Sequence, residues 1–145
     1  MDFFNSMNVS SSALSAERTR MNLISSNLAN ANATRTAEGG AYKRKDAVFA
    51  ATPVESRFNR ALDGAAANQV RKVEVTEIVE DQNPPRLQYD PSHPDANQQG
   101  YVAMPNVNVV EEMADMISAT RAYEANVTAV QAAKSMAMKT LEIGR

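Results

Sequence analysis

The sequence predicts a mainly α protein with a small β insert, in which long N- and C-terminal helices form an antiparallel coiled coil and the central part is β-rich. Three observations predict this. All six prolines and four of the five glycines lie between positions 39 and 105, with Gly144 the fifth, so both ends are free of helix breakers while the middle is crowded with them. Each end carries an apolar stripe at helical spacing, and the middle carries runs of β-branched and aromatic residues. The division that follows is an N-terminal helical arm over 1–34, a central β-rich or irregular insert over 35–105, and a C-terminal helical arm over 106–145.

In the N-terminal arm, Phe3, Met7, Ser10, Leu14, Glu17, Met21, Ile24 and Leu28 recur at steps of four and three, with only Ser10 and Glu17 breaking the apolar run. Ser10, Ser11 and Ser12 weaken the first half as a helix former. Asn30, Asn32 and Thr34 end the helix, because their side chains compete for local backbone hydrogen bonds.

Strands are expected over Tyr42–Ala50 and Val70–Glu80, with shorter paired fragments at Arg86–Tyr89 and Tyr101–Met104. Asn83-Pro84-Pro85 and Asp90-Pro91-Ser92-His93-Pro94-Asp95 supply turn chemistry, and Ala65-Ala66-Ala67-Asn68-Gln69 suits an exposed loop. Lys43-Arg44-Lys45, answered by Asp46, is expected as a solvated edge that discourages strand pairing.

The C-terminal arm is expected as one helix over Asn108–Glu142, capped by Asn108 with Glu111 three residues on and stopped at Gly144. Its stripe is Val109, Met113, Met116, Thr120, Tyr123, Val127, Val130, Lys134, Ala137 and Leu141. A helix on the order of 50 Å long with one narrow apolar seam cannot bury that seam alone. Leaving such side chains wet forfeits about 1.5–3 kcal/mol each. The seams therefore pack on each other, on other copies of the chain, or on both, leaving Arg18, Arg20, Glu111, Asp115, Arg121 and Glu124 on outward faces.

Charge and chemistry narrow the function. The 15 Lys and Arg residues and 17 Asp and Glu residues leave a net charge of −2. They are spread evenly along the chain, so there is no basic face for nucleic acid. Cysteine is absent and histidine occurs once, which excludes disulfides, thiolate nucleophiles and His clusters for metal. No metal ligands, catalytic residues or cofactors are assigned. Asp90, His93 and Asp95 on one loop are the sole constellation an enzyme could use, and they match no catalytic pattern. The N-terminus has no secretory pattern, and no apolar run is long enough for membrane insertion, so composition alone suggests a soluble cytoplasmic chain.

The motifs themselves carry a resemblance. The run Ser15-Ala16-Glu17-Arg18-Thr19-Arg20-Met21-Asn22-Leu23-Ile24-Ser25-Ser26-Asn27-Leu28-Ala29-Asn30-Ala31-Asn32 resembles the N-terminal signature of bacterial flagellar rod and hook proteins. The loop Tyr89-Asp90-Pro91-Ser92-His93-Pro94-Asp95-Ala96 and the stretch Gly100 to Met113, with Asn106 and Asn108, resemble the proximal-rod members of that family, Ser118 to Asn126 resembles its C-terminal helix, and Gly39-Gly40-Ala41-Tyr42-Lys43-Arg44-Lys45 adds to the likeness. The segment from Thr52 to Ala67 matches least. A chain this short is most similar to the proximal-rod branch, and the Tyr-Asp-Pro-Ser-His-Pro-Asp loop separates it from FlgB.

The resemblance implies a non-catalytic, torque-transmitting subunit of the periplasm-spanning rod of the basal body, exported by the flagellar type III apparatus in place of a signal peptide. It implies partners among other copies of the chain, the rod proteins FlgB, FlgF and FlgG, and FliE at the MS-ring junction. Phe3-Phe4-Asn5-Ser6-Met7 resembles the export motif of such substrates, with Phe3, Phe4 and Met7 its apolar positions. His93 is then part of a fixed loop making subunit contacts. The rival reading from another class is a soluble helical-hairpin adaptor that binds a partner helix through its seam.

Overall fold

The computed structural model describes residues 3–53 and 71–144, so the expected loop at Ala65–Gln69 lies outside the described residues. The element order is α1 (Phe3–Ala29), β1 (Lys45–Pro53), β2 (Arg71–Glu80), β3 (Arg86–Tyr89), β4 (Tyr101–Met104) and α2 (Val109–Ile143). Long helices at the two termini and a small β region between them are thus observed. The β region is two separate two-stranded sheets, β1 with β2 and β3 with β4, rather than one small domain.

The 27-residue α1 runs unbroken through its three serines. Ser12 donates its hydroxyl to the Val9 carbonyl at 2.7 Å and accepts the Val73 amide at 3.1 Å, so its side chain is engaged rather than unravelling the turn. At the other end Asn30 donates its side-chain amide to the Ser26 carbonyl at 2.9 Å, closing the last turn where the polar run begins. The 35-residue α2 opens on Asn108, whose Oδ1 accepts the Val110 amide at 3.2 Å. Glu111 and Glu112 stand in the first turn, where the helix dipole favours acids.

Contacts divide the chain into two compact units, each drawing on both helices. The first contains residues up to Thr19, Val48–Glu77 and Thr120 onward. Ala16 and Ala133 are its buried apolar residues among those described, and Thr76 donates its hydroxyl to the Val48 carbonyl at 3.2 Å between β2 and β1. Glu17, which interrupts the α1 stripe, has a buried Oε2 that accepts no hydrogen bond.

The second unit contains Arg20–Ala47 and Ile78–Ala119 and holds most of the core: Ile24, Ala31, Val102, Val107, Pro105 and a fully buried Ala119. The β3–β4 ribbon is antiparallel, with Tyr89 opposite Tyr101 and Gln88 opposite Val102. Val102 faces the core, while Leu87, Tyr89 and Tyr101 are exposed on the other face.

The α2 stripe of large apolar residues and the row that this fold buries coincide only in part. The buried or half-buried row is Glu112, Met116, Ala119, Tyr123, Asn126, Val130, Ala133 and Ala137, again at steps of four and three. Met116, Tyr123, Val130 and Ala137 belong to both rows, and Val127 is half-buried beside them. Val109, Met113, Thr120, Lys134 and Leu141 are exposed. Small side chains at alternate buried positions let neighbouring backbone come close, and selecting positions by apolarity alone passes over them.

Candidate functional site

The most connected site is a buried polar lock in the second unit, centred on Asn27 and Glu112, which are 0% and 1% exposed. Asn27 is on the last full turns of α1 and Glu112 on the first turn of α2, 85 residues away. The Asn27 side-chain amide donates to Glu112 Oε2 at 3.1 Å and to the Lys45 carbonyl at 2.9 Å. Its Oδ1 accepts the Lys45 amide at 3.0 Å and the Tyr42 hydroxyl at 3.0 Å. Both donors and both acceptor positions of one buried amide are therefore used, which a burial of this kind requires.

Glu112 Oε1 accepts Arg44 Nε at 2.6 Å, and Arg44 Nη1 reaches Asp46 Oδ2 at 3.0 Å. Burial works to lower the basicity of Arg44, but its hydrogen bonds to Glu112 and Asp46 outweigh this and hold the guanidinium charged. A carboxylate this deeply buried is tolerable only because it is paired and hydrogen-bonded on both oxygens. The site ties three places in the chain together: the exit of α1, the entry to β1 and the start of α2.

The basic run Lys43-Arg44-Lys45 is accordingly not a solvated edge. Arg44 turns inward, and Lys45 pairs with Glu80 at 3.2 Å across β1 and β2. Arg20 and Asp115 are likewise not free outward charges, since they pair with each other at 3.7 Å. Asn27 meets Glu112 while Arg20, two turns earlier, meets Asp115, so the contacts run in opposite order along the two helices. Arg18, Glu111, Arg121 and Glu124 are exposed.

A second cluster holds the Asp-Pro-Ser-His-Pro-Asp loop. Thr34 donates its hydroxyl to Asp95 Oδ2 at 2.8 Å, and Arg35 pairs with Asp95 Oδ1. His93 is half-buried, and its Nδ1 accepts the Asp95 amide at 3.1 Å. Asp90 Oδ1 accepts the Ser92 amide at 3.1 Å, and the Asp90 amide donates to the Gly100 carbonyl at 2.9 Å. These groups hold a loop against the segment after α1. Among the described residues no group of three or more His, Asp or Glu side chains is arranged to hold a metal ion.

The Thr34 hydroxyl, aided by the charges of Arg35 and His93, holds the Asp95 carboxyl below its ordinary range despite its partial loss of water. A carboxyl depressed on folding contributes stability that is present above its unfolded value and lost as the pH falls through the folded one. Asp95→Asn should therefore lower stability at neutral pH and flatten the acid limb below the ordinary carboxylate range, so that variant and parent converge in acid. Circular dichroism against pH checks this.

Gly100 has φ +80°, and a Cβ there would lie 2.8 Å from Tyr89 Cε2 and 3.3 Å from Pro91 Cβ. Tyr89 also meets Tyr101 edge to face at 5.3 Å between centroids. Gly100→Ala should cost about 1–2 kcal/mol from the left-handed backbone alone, and displace the Tyr89 ring besides. Thermal unfolding and the near-ultraviolet tyrosine signal report the two effects.

The other expected residues are placed as follows. Phe3 and Met7 are half-buried, and Phe4 is exposed and meets Phe3 edge to face at 5.5 Å. Leu14, Met21 and Leu28 are half-buried, while Ile24 is buried. Pro91, Pro94 and Asn108 are exposed, as is Asn106, which donates its side-chain amide to Asp81 at 3.2 Å. Reading the sequence missed Glu112, Arg44, Tyr42, Thr34 and Arg35 as site residues. The available signal was Glu112 itself, an acid at the start of the row that continues through Met116 and Ala119.

Two family models match the chain: flagella basal body rod protein over residues 7–35, and the C-terminal region of flagellar basal body rod FlgEFG proteins over 98–143. Both polar clusters touch these segments or the stretch between them. The flagellar basal-body rod protein FlgC of Bacillus subtilis is 46% identical, with both chains covered in full. That of Borreliella burgdorferi is 44% identical over 99% of this chain and 98% of its own. That of Escherichia coli O6:H1 is 40% identical over the full length of both. The chain belongs to the FlgC family of flagellar basal-body rod proteins. It is a structural subunit of the rod in the bacterial flagellar basal body, and members of this family assemble with other rod proteins.

Proposed function

We propose that this chain builds the proximal rod by self-assembly through its terminal helices, with α1 and α2 pairing as an antiparallel coiled coil and the Asn27–Glu112 lock fixing their register. The observation that carries the reading is that one buried network joins the exit of α1 to the start of α2, while α2 leaves large apolar side chains exposed near both its ends. A polar group buried between helices costs stability and specifies alignment, which suits a part that must transmit torque without slipping. Leu14, Met21, Ile24, Leu28, Met116, Tyr123, Val127 and Val130 form the seams, and Val109, Met113 and Leu141 are completed by neighbouring subunits.

The neighbours are other copies of the chain and FlgB, FlgF and FlgG, with FliE and the MS-ring junction at the inner end. Delivery is by the flagellar type III apparatus through Phe3, Phe4 and Met7. The role is mechanical, with no substrate turned over.

Tyr123→Asp puts a charge into the half-buried row of α2 and should abolish incorporation into basal bodies while leaving secretion intact. Immunoblots of culture supernatant and of purified basal bodies separate the two, and normal swimming of this variant would sink the packing argument. Limited proteolysis of the dilute chain addresses the rival reading: terminal arms cut quickly alone and protected in the rod support assembly. A protease-resistant full-length monomer would favour a helical-hairpin adaptor.

A further inference from the structure

The β3–β4 ribbon turns an uncharged face outward. Residues opposite each other in an antiparallel pair share a face, so Tyr89 with Tyr101 and Leu87 with Ala103 stand together, and Val102 stands on the other side. Leu87, Tyr89 and Tyr101 are 64, 63 and 42% exposed. Arg86 pairs with Met104 on the Val102 side, and the nearby Asp90 and Asp95 are spent on the Ser92 amide and on Thr34 and Arg35.

These exposed rings are held in place. The position a Cβ would take at Gly100 lies 2.8 Å from Tyr89 Cε2, so one edge of the ring rests on the Gly100 backbone. The ring also meets Tyr101 edge to face. The adjoining turn is equally fixed: Asn97 Oδ1 accepts the amides of Gln99 and Tyr101, each at 2.9 Å, and the Gly100 amide donates to the Asn97 carbonyl at 2.9 Å. Gln98 and Gln99 at its tip are exposed, and neither side-chain amide has a partner among the described residues. An aromatic ring that is both wet and fixed, with neutral amides beside it, is arranged for recognition. It offers apolar area without the entropy cost of ordering a free side chain.

Size and charge select the ligand. Two four-residue strands make a face of about 13 by 10 Å, on the order of 130 Å². A stable protein interface takes roughly 800 Å² from each partner. A nucleic acid would stack on the rings, but its phosphates need cations, and this face has none. What remains is a small ligand with an apolar side for the rings and neutral polar groups for the amides. We propose that the face binds a neutral saccharide. The C–H side of a sugar ring stacks on Tyr89 and Tyr101, and its hydroxyl or acetamido groups hydrogen-bond to Gln98 and Gln99. The assignment does not rest on the rod reading, and a rod subunit that bound no sugar would still be a rod subunit.

Triacetylchitotriose and cellotriose are titrated into the full-length chain, with tyrosine side-chain NMR resonances and calorimetry as readouts. The parent should bind at about millimolar concentration, with the Tyr89 and Tyr101 resonances moving most. Tyr89→Ala and Tyr101→Ala should each weaken binding by about tenfold, whereas Tyr89→Phe, which keeps the ring, should change it by less than about twofold. Arg86→Ala, on the opposite face, should leave it unchanged. Removing a ring can also disturb the ribbon, so Gln98→Ala with Gln99→Ala supplies a second arm at exposed positions. That pair should weaken binding by about fivefold, the effect of one lost hydrogen bond, at an unchanged melting temperature.

Binding of both sugars supports recognition through ring stacking and hydroxyls, and binding of triacetylchitotriose alone assigns the acetamido group as well. Resonances that stay still with both sugars, or binding that survives the loss of either ring, would overturn the inference. A parent that binds neither sugar, while correctly folded Tyr89→Ala is lost from basal bodies, would overturn it too and make the face a subunit contact.

Discussion

Glu112→Ala is expected to destabilise the chain by about 3–5 kcal/mol, the cost of breaking a buried ion pair by removing one partner. Against a total stability on the order of 5–15 kcal/mol, that is enough to abolish motility. The reason lies in what remains. Arg44, half-buried, loses its 2.6 Å acceptor, and the fully buried Asn27 amide loses one of its two acceptors. Glu112→Gln keeps the shape and one oxygen and should cost less. The decisive arm is the double variant Glu112→Leu with Arg44→Met, which removes both charges together and should be more stable than the sum of its single changes. Hydrogen exchange of the Asn27 and Lys45 region, with soft-agar swimming, reads the outcome. Additive losses would show that Glu112 and Arg44 do not act as a pair.

The same lock marks how far the sequence could be read. β3 and β4 were legible to the residue, because short β-branched and aromatic runs are bounded there by proline and glycine. β2 begins at Arg71 among the described residues, and β1 begins at Lys45 rather than Tyr42 because the Tyr42 hydroxyl is drawn to Asn27 and its amide to the Ala33 carbonyl. Both ends of α2 were marked by Asn108 and Gly144. The buried face of α2 was not legible, for a physical reason. Periodicity finds large apolar residues, while this fold buries alanines and a glutamate whose partners sit 68 and 85 residues away. Asn27, Tyr42 and Arg44 stood in quoted motifs, yet nothing local shows that one amide satisfies them together. Asp95 was noticed for acid–base chemistry and is instead held by Thr34 and Arg35, a contact spanning 61 and 60 residues. Non-local polar pairing was the missing layer, and a single sequence does not display it.

Ala119→Leu is the second large effect, and it tests the smallness of the buried row rather than its polarity. Ala119 is 0% exposed, seven residues after Glu112 and on the same face of α2. No surface is left around its methyl group, so three added carbons must push the helix or its neighbours apart. Overpacking of this kind costs about 1–3 kcal/mol, and at this chain length each kcal/mol lowers the melting temperature by roughly 2–4 °C. The same substitution at Thr120, one residue on and exposed, should cost well under 1 kcal/mol, as surface changes usually do. The contrast matters because a coiled-coil seam chosen by apolarity would place position 120 inside and 119 outside. If Thr120→Leu proves the more damaging of the two in thermal unfolding of the chain, the row through Met116, Ala119 and Tyr123 is not the packed one. If Ala119→Leu spares the melting temperature but blocks incorporation into basal bodies, then the pressure at position 119 comes from a neighbouring subunit instead of the chain's own fold.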